Sequence, residues 1–322
     1  MYNEQFNKQI EAMALSCGYD SCGIISIEKM DGFRKRLSER IKKVPTSALV
    51  YRSLEDLAGI KERFPWGKAV VICTFNYGRY QFPEDLQGKY AKGYLLVPDS
   101  NKDLDIYKKR HEFEEWFSDR GVRYAGGMQF EHSSIGSLRY AAEMAGLGIV
   151  RKNNFLYSEK GSYLELVGYV IDQECELYHE HNLKPCSEHC DICQKACPTG
   201  ALCAPYTMSP LKCVSFTNTF GKGILLPGVK EEQMKEWIIG CEECQDVCPH
   251  NRKHDWSKGE EIPSLTNIAE KLLPENIIDA DDIFLKREVI PRTFAHLTEK
   301  EIGTVRRCAK RSLRNRTNMS KS

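Results

Sequence analysis

Two short cysteine runs constrain this chain more than any other feature. The first, residues 186–198, reads CSEHCDICQKACP and places four cysteines within twelve residues. The second, residues 241–249, reads CEECQDVCP. Thiols at this density occur in disulfide knots, in zinc sites and around iron–sulfur clusters, and each of these imposes a different local fold.

The two runs share the pattern C-x-x-C-x-x-x-C-P, which is typical of bacterial ferredoxins, where the last cysteine binds the other cluster. Closely spaced cysteines on a tight loop can reach several corners of one Fe₄S₄ cube. The last cysteine points away, and the proline keeps it out of the following helix. The spacing therefore predicts two [4Fe–4S] clusters, with a Cys₄ zinc ribbon and disulfides as alternatives.

Two four-cysteine clusters need eight thiolates, and the two runs supply seven. The seven are Cys186, Cys190, Cys193, Cys197, Cys241, Cys244 and Cys248. Either Cys213 or Cys203 must supply the eighth. The rest of the chain is far too large for a plain ferredoxin, which favours a redox site within the same protein.

Composition and charge exclude several classes of protein. The chain has 322 residues and a formal net charge of +1, so no global field directs it to nucleic acid or to an anionic membrane. No segment has the roughly 18 consecutive apolar residues that a membrane-spanning helix needs. Fourteen cysteines without an export signal indicate a reducing compartment, and we predict a cytoplasmic protein with no membrane partner.

The character of the sequence changes twice along the chain. Residues 1–175 mix helical and buried-strand patterns and predict an α/β or α+β domain. Residues 176–255 hold most of the cysteines and predict a ferredoxin-like double-cluster module. Residues 256–322 are polar and predict a helical segment with a basic end.

Apolar patterns predict the main elements of the first part. We expect a helix and then a short strand within residues 1–30. Continuous apolar runs predict buried strands at 68–75 and 164–171, and helical periodicity predicts helices at 101–120 and 135–145.

The end of the chain is strongly basic. Residues 301–322 contain seven Lys or Arg residues against Glu301 alone. This composition is typical of a solvated helix with a frayed end, and the alternative is a patch that contacts phosphate groups.

Six stretches, in order and spacing, resemble the epoxyqueuosine reductases, which are cobalamin-dependent two-cluster enzymes of tRNA modification related to reductive dehalogenases. The stretches are CGYDSCGII at 17–25, WGKAVVICTFNY at 66–77, AGLGIVRKN at 145–153, KCVS at 212–215, GCEECQDVCP at 240–249 and LRN at 313–315. The resemblance covers nearly the whole chain.

This resemblance implies an α/β (α+β) fold with a nitroreductase-like core that holds the corrinoid against the ferredoxin-like module. It implies one cluster on Cys186, Cys190, Cys193 and Cys248. It implies a second cluster on Cys197, Cys213, Cys241 and Cys244, and so favours Cys213 over Cys203. Cobalamin is implied by the resemblance alone, with electrons from a low-potential donor such as ferredoxin or flavodoxin.

The resemblance also suggests residues that face the corrinoid. Arg151 and Asn153 occupy the turn after Ala-Gly-Leu-Gly, and Ser215 and Gly240 flank cluster cysteines. A small residue at position 240 suits the close approach of a flat macrocycle. Arg52 matches an arginine of the family. The structural alternatives are a turn residue, a capping serine and a surface arginine.

The sequence departs from the family at the proton donor. The position of the catalytic aspartate falls on His132, and Glu131 is its neighbour. A histidine titrates near neutral pH and is a competent acid, and Glu131 is an alternative donor if burial raises its pKa. A capping or surface histidine is the structural alternative. The family's Asp-Tyr-His is also missing at 90–98, and the first run has one extra residue between its first two cysteines.

These observations predict a cobalamin-dependent iron–sulfur reductase of an organic or nucleoside-like substrate. One alternative is a tRNA epoxyqueuosine reductase proper, with the basic C-terminus binding tRNA. The other is an electron-transfer protein whose α/β domain holds no corrinoid.

Overall fold

A computed structural model of the chain describes residues 4–51, 54–127, 135–293 and 296–319. It divides into two compact units built from interleaved segments. The first unit contains residues 1–76, 105–190 and 204–207, and the second contains 77–104, 191–203 and 208–322. The predicted division into three consecutive parts, with boundaries at 175 and 255, stays a prediction.

Helices and strands alternate in the first unit, as the mixed α/β prediction requires. The strands are β1 Ser21–Ser26, β2 Ala69–Asn76, β3 Tyr124–Gly126, β4 Ile149–Val150, β5 Leu156–Tyr157 and β6 Leu164–Ile171. The helices are α1 Glu4–Ser16, α2 Asp31–Lys43, α3 Ala48–Tyr51, α4 Glu55–Ala58, α5 Ile60–Arg63, α6 Lys92–Leu96, α7 Asp105–Asp119, α8 Leu138–Met144, α9 Ile192–Ala196, α10 Val214–Asn218, α11 Glu243–Asp246, α12 Pro263–Thr266, α13 Pro274–Asp279, α14 Asp282–Phe284 and α15 Ile302–Met319.

The first unit is organised around an antiparallel sheet with strand order β1-β2-β6-β3. The long apolar runs became its two central strands, β2 and β6, because buried strands need apolar side chains on both faces. Val70 and Ile72 of β2 pack in one core with Phe33 of α2 and Ala142 of α8. The strands predicted at 68–75 and 164–171 are confirmed.

The helix predicted at 101–120 is confirmed, but it begins at Asp105. Asn101 donates from its side-chain amide to the carbonyls of Leu95 and Val97, which closes the preceding turn and delays the helix. Gly121 follows the helix with a φ of 66°, a conformation that glycine adopts without strain.

The second unit consists mainly of short helices and turns around Trp237, which is 2 % exposed. Tyr90 donates its hydroxyl to the carbonyl of Leu272 at 2.8 Å and forms a parallel bridge with Ile239. In the part of the chain that the structure describes, no helix has the length and apolar composition to cross a membrane.

The basic C-terminal segment forms α15, and most of its arginines are engaged within the second unit. Their contacts are Arg306 to Asp282 (2.8 Å), Arg311 to Asn218 and the Gly223 carbonyl, Arg314 to Glu231 (2.6 Å) and Arg316 to Glu236 and Glu275. The segment is therefore not the purely solvated helix expected from its composition. Because the acidic partners are distant in sequence, the pairing was not visible there.

Candidate functional site

Four predicted ligands of one cluster belong to the second unit and lie close together. Cys213 and Cys244 each interact electrostatically with the other three members of the set, which includes Cys197 and Cys241. Burial raises the pKa of the Cys213 thiol and holds the pKa of Cys241 and Cys244 well above the usual value, and neighbouring thiols add to the effect. Crowded buried thiols lose their protons when a metal binds. Cys203, the alternative eighth ligand, is exposed.

The local backbone explains why the last cysteine of each run leaves its helix. Helix α9 ends at Ala196, just before Cys197 and its proline, and α11 ends at Asp246, before Cys248. The two short helices, each carrying part of a C-x-x-C pair, pack against each other. Backbone N–H groups of Ser215 and Phe216 donate to the Cys213 sulfur, and such bonds favour its thiolate.

A buried lysine holds the second cysteine run in place. The Nζ of Lys92 lies 2.7 Å from Oε2 of Glu242 and 3.1 Å from Oδ2 of Asp246. Both acidic residues stand between ligand cysteines, and the backbone N–H of Gly93 also donates to Glu242. The side chains of Lys92 and Glu242 are 3 % and 2 % exposed. One ammonium group therefore connects two points of the ligand loop to α6.

Burial is the main influence on the Glu242 carboxyl. It raises the pKa of Glu242 to about 7, against the opposing effect of Lys92. Lys92 is the cation that compensates this carboxylate, and it also lies 4.9 Å from the centre of the Trp256 ring. Removing that cation would leave an acidic group buried beside the candidate cluster ligands.

The first cysteine run begins in the first unit, and another buried lysine organises it. Lys152 is 7 % exposed. Its Nζ donates to the carbonyls of Ser187, Glu188 and Cys190 at 2.8, 2.7 and 2.9 Å. All three ammonium protons are thus used on the loop that is one residue longer than in the family. The extra residue is accommodated by an ordered turn.

Cys186 has a cationic neighbour. Nη1 of Arg151 lies 3.8 Å from the Cys186 sulfur, a contact that favours the thiolate. Cys186 and Cys190 belong to the first unit, whereas Cys193 and Cys248 belong to the second. The assignment of these four to one cluster stays a prediction.

The alternatives to a cluster concern the whole set of thiols. All fourteen cysteines are free in the structure. Among the residues it describes, no group of three or more His, Cys, Asp or Glu side chains is arranged around a single metal ion. The nature of the metal centre therefore has to be judged from the cysteine spacing and from related proteins.

The turn after Ala-Gly-Leu-Gly has unmet hydrogen-bonding capacity. The Arg151 guanidinium lies 5.2 Å from the centre of the Tyr157 ring, and Asn153 donates to the Tyr157 hydroxyl at 2.8 Å. Among the described residues, no partner is found for Nε of Arg151 or for either side-chain polar atom of Asn154. Buried polar groups are normally paired, so the turn suits a polar ligand.

Ser215 and Gly240 meet at Tyr94 in the second unit. A Cβ at position 240 would lie 2.5 Å from Cβ of Ala91 and 2.8 Å from Cε2 of Tyr94, and the φ of Gly240 is 73°. The Tyr94 hydroxyl is hydrogen-bonded to Ser215 and lies 3.1 Å from Nδ1 of His296. Packing within the unit thus explains the glycine, and its role toward a corrinoid stays a prediction.

Three predicted residues, His132, Glu131 and Arg52, lie outside the described residues. The sequence analysis also missed two residues, Lys92 and Lys152. Lysine is rarely buried, so composition gave no reason to select them. The available signal was their position, because Lys152 lies between two selected residues and Lys92 precedes an apolar helix.

Comparison with known proteins gives the cysteine region a family. The model described as "4Fe-4S double cluster binding domain" matches residues 186–251. This match covers both cysteine runs and Cys213 between them. The prediction of two [4Fe–4S] clusters is supported, and the zinc alternative is not.

The chain is also similar to curated proteins over most of its length. It is 27% identical over 299 residues to an epoxyqueuosine reductase of Cellulophaga algicola, covering 88% of this chain and 91% of the relative. It is 26% identical over 276 residues to an epoxyqueuosine reductase of Bacillus subtilis, covering 84% and 69%. The predicted resemblance and the class of iron–sulfur oxidoreductase are confirmed.

Solved structures share the fold. The epoxyqueuosine reductase of Streptococcus thermophilus has a TM-score of 0.73 at 23% identity, covering 97% of this chain and 81% of the other. An epoxyqueuosine reductase with a tRNA-Tyr epoxyqueuosine-modified stem loop has a TM-score of 0.66 at 21% identity, covering 96% and 81%. These likenesses confirm the predicted fold class.

Proposed function

We propose that this chain is a tRNA epoxyqueuosine reductase whose two [4Fe–4S] clusters deliver electrons for removal of the epoxide oxygen. The observation that carries the proposal is the similarity, over most of the chain, to proteins named epoxyqueuosine reductase. The broader prediction of an unspecified organic or nucleoside-like substrate has less support, because both curated relatives described above have this one activity.

The reaction balances as a two-electron reduction. An epoxide, two electrons and two protons give an alkene and water, so two C–O bonds break and one C=C bond forms. Cobalamin, when bound, would supply a strongly reducing and nucleophilic cobalt centre. The chain itself would hold the clusters through its eight cysteines and hold a proton on His132 or Glu131 at the departing oxygen.

Five residues are proposed to hold the corrinoid: Arg52, Arg151, Asn153, Ser215 and Gly240. The unpartnered Nε of Arg151 supports a polar ligand at its turn. Arg151 also contacts the Cys186 sulfur, so one side chain could serve both a cluster and the corrinoid. The electron donor is proposed to be a reduced ferredoxin or flavodoxin.

The test is anaerobic turnover on tRNA that retains the epoxide. Reconstituted protein, cobalamin and a low-potential reductant are incubated with this tRNA, and the nucleosides are analysed by mass spectrometry. We expect loss of one oxygen atom from epoxyqueuosine, dependent on both cobalamin and reductant. His132→Ala and Glu131→Gln variants with full cluster content identify the proton donor by which of them stops turnover.

Unchanged epoxyqueuosine with cluster-replete protein would contradict the proposal. A cobalamin-induced change in the visible spectrum without turnover would then favour a different substrate. Absence of both turnover and the spectral change would favour the electron-transfer alternative.

A further inference from the structure

A cation-lined cavity in the first unit lies outside the candidate cluster ligands. It has a volume of about 430 Å³, within the roughly 300–1,000 Å³ range of small-ligand pockets. The residues that the inference uses are Arg36, Arg40, Lys43, Glu143 and Tyr206. The size suits an organic ligand better than a bare inorganic ion.

The cavity has an excess of positive charge. Three cations, Arg36, Arg40 and Lys43, face two carboxylates, Glu39 and Glu143, which leaves a formal charge of +1. The cations come from α2, which carries six Lys or Arg residues against two acidic ones.

Only one of the cations is neutralised by a carboxylate within the described part of the chain. Nη1 of Arg36 lies 2.5 Å from Oε2 of Glu143, whose Oε1 accepts the backbone N–H of Val150 at 2.7 Å. Both oxygens of Glu143 are therefore used. Arg40 donates from Nε to the carbonyl of Tyr206 at 3.1 Å, which leaves its charge without a counter-ion, and Lys43 forms no ion pair. The cavity thus offers two cations to an anionic ligand.

The environment of Arg40 is unfavourable for its charge. Burial lowers the pKa of Arg40 to about 10, and the neighbouring cations Arg139 and Arg36 lower it further. A bound anion would relieve this repulsion, because opposite charge favours the protonated guanidinium. Guanidinium groups with free Nη donors match the oxygens of a phosphate.

Tyr206 adds an aromatic surface to the same cavity. Its side chain is 36 % exposed, and its φ of 61° is uncommon for a residue other than glycine. The conformation is held by two bonds, from the Tyr206 N–H to the Lys152 carbonyl and from Arg40 to the Tyr206 carbonyl. Strained residues that are fixed in this way often mark ligand sites.

We propose that this cavity binds one nucleotide unit, with Arg40 and Lys43 on its phosphodiester and the Tyr206 ring against its base. Cations beside an exposed aromatic ring are the usual means of binding an unpaired nucleotide. Two ligands carry this chemistry, an RNA strand and the nucleotide tail of a corrinoid. The choice between them rests on the proposed function, whereas the site itself does not.

The test compares Arg40→Gln, Lys43→Gln and Tyr206→Leu with the exposed control Lys310→Gln, all as cluster-reconstituted protein. One arm measures the affinity for an unmodified anticodon stem–loop RNA at several salt concentrations. The other measures the affinity for hydroxocobalamin from its visible spectrum. We expect each cavity variant to bind one of these ligands about tenfold more weakly, with Lys310→Gln unchanged.

The two arms identify the ligand. Weaker RNA binding, with a salt slope about 0.7 to 0.9 less steep in the lysine variant, identifies an RNA phosphate. Weaker cobalamin binding alone identifies the nucleotide tail. Affinities for both ligands within twofold of the unmodified protein in all three variants would overturn the proposal. Lys43→Gln removes no contact within the protein, so its result cannot be attributed to misfolding. Because the RNA lacks the modified base, the outcome is independent of epoxyqueuosine turnover.

Discussion

Replacing Cys213 with alanine should remove one cluster and leave the other. Anaerobically reconstituted Cys213→Ala is expected to contain about four iron and four sulfide per chain, against about eight of each in the unmodified protein. The reason is that Cys213 interacts with Cys197, Cys241 and Cys244, so its loss leaves a cube with three protein ligands. Turnover should fall below detection because the electron path is interrupted.

Cys203→Ala is the matched control. This cysteine lies in the same stretch of chain but is exposed, so its removal should leave about eight irons. Iron and acid-labile sulfide are measured on the same samples, with EPR of the reduced protein to follow the remaining cluster. Full iron content in Cys213→Ala, together with a loss in Cys203→Ala, would reverse the assignment of the eighth ligand.

The second large effect concerns the buried cation beside the second cysteine run. Lys92→Met is expected to lower the free energy of unfolding by about 3–5 kcal/mol, the usual result of breaking a buried ion pair from one side. Glu242 would then be buried without a counter-charge, and the loop between the ligand cysteines would lose its connection to α6. Anaerobic urea unfolding followed by far-ultraviolet circular dichroism measures the change.

Two further variants separate the ion pair from a general effect of losing lysine. Lys258→Met removes a surface lysine that is 81 % exposed and pairs with Asp255, so its effect should stay within about 0.5 kcal/mol. The double variant Lys92→Met with Glu242→Leu should recover most of the lost stability, because no buried charge remains. Equal stability losses in Lys92→Met and Lys258→Met would contradict the assigned role of Lys92.

The elements that could be predicted from the sequence are those with a strong local pattern. Strand β6 was predicted with both its ends because Leu164–Ile171 is a continuous apolar run bounded by polar residues. The start of α7 was predicted too early, because the side-chain bonds of Asn101 to the preceding turn leave no periodic signal.

The candidate site was predictable where chemistry depends on spacing. The cysteine runs indicate clusters because ligand geometry limits the number of residues between thiolates. Lys92 and Lys152 were not predictable, since their burial depends on carbonyls and carboxylates that fold against them from distant segments. The pairing of the α15 arginines escaped prediction for the same reason.

The central claim is that the two cysteine runs and Cys213 hold a pair of cubic iron–sulfur clusters. Mössbauer spectroscopy of protein reconstituted anaerobically with ⁵⁷Fe, together with iron and sulfide counts, tests it most directly. We predict about eight irons per chain, all in the [4Fe–4S] form. Stoichiometric zinc, or a spectrum of isolated tetrahedral iron without sulfide, would contradict this account.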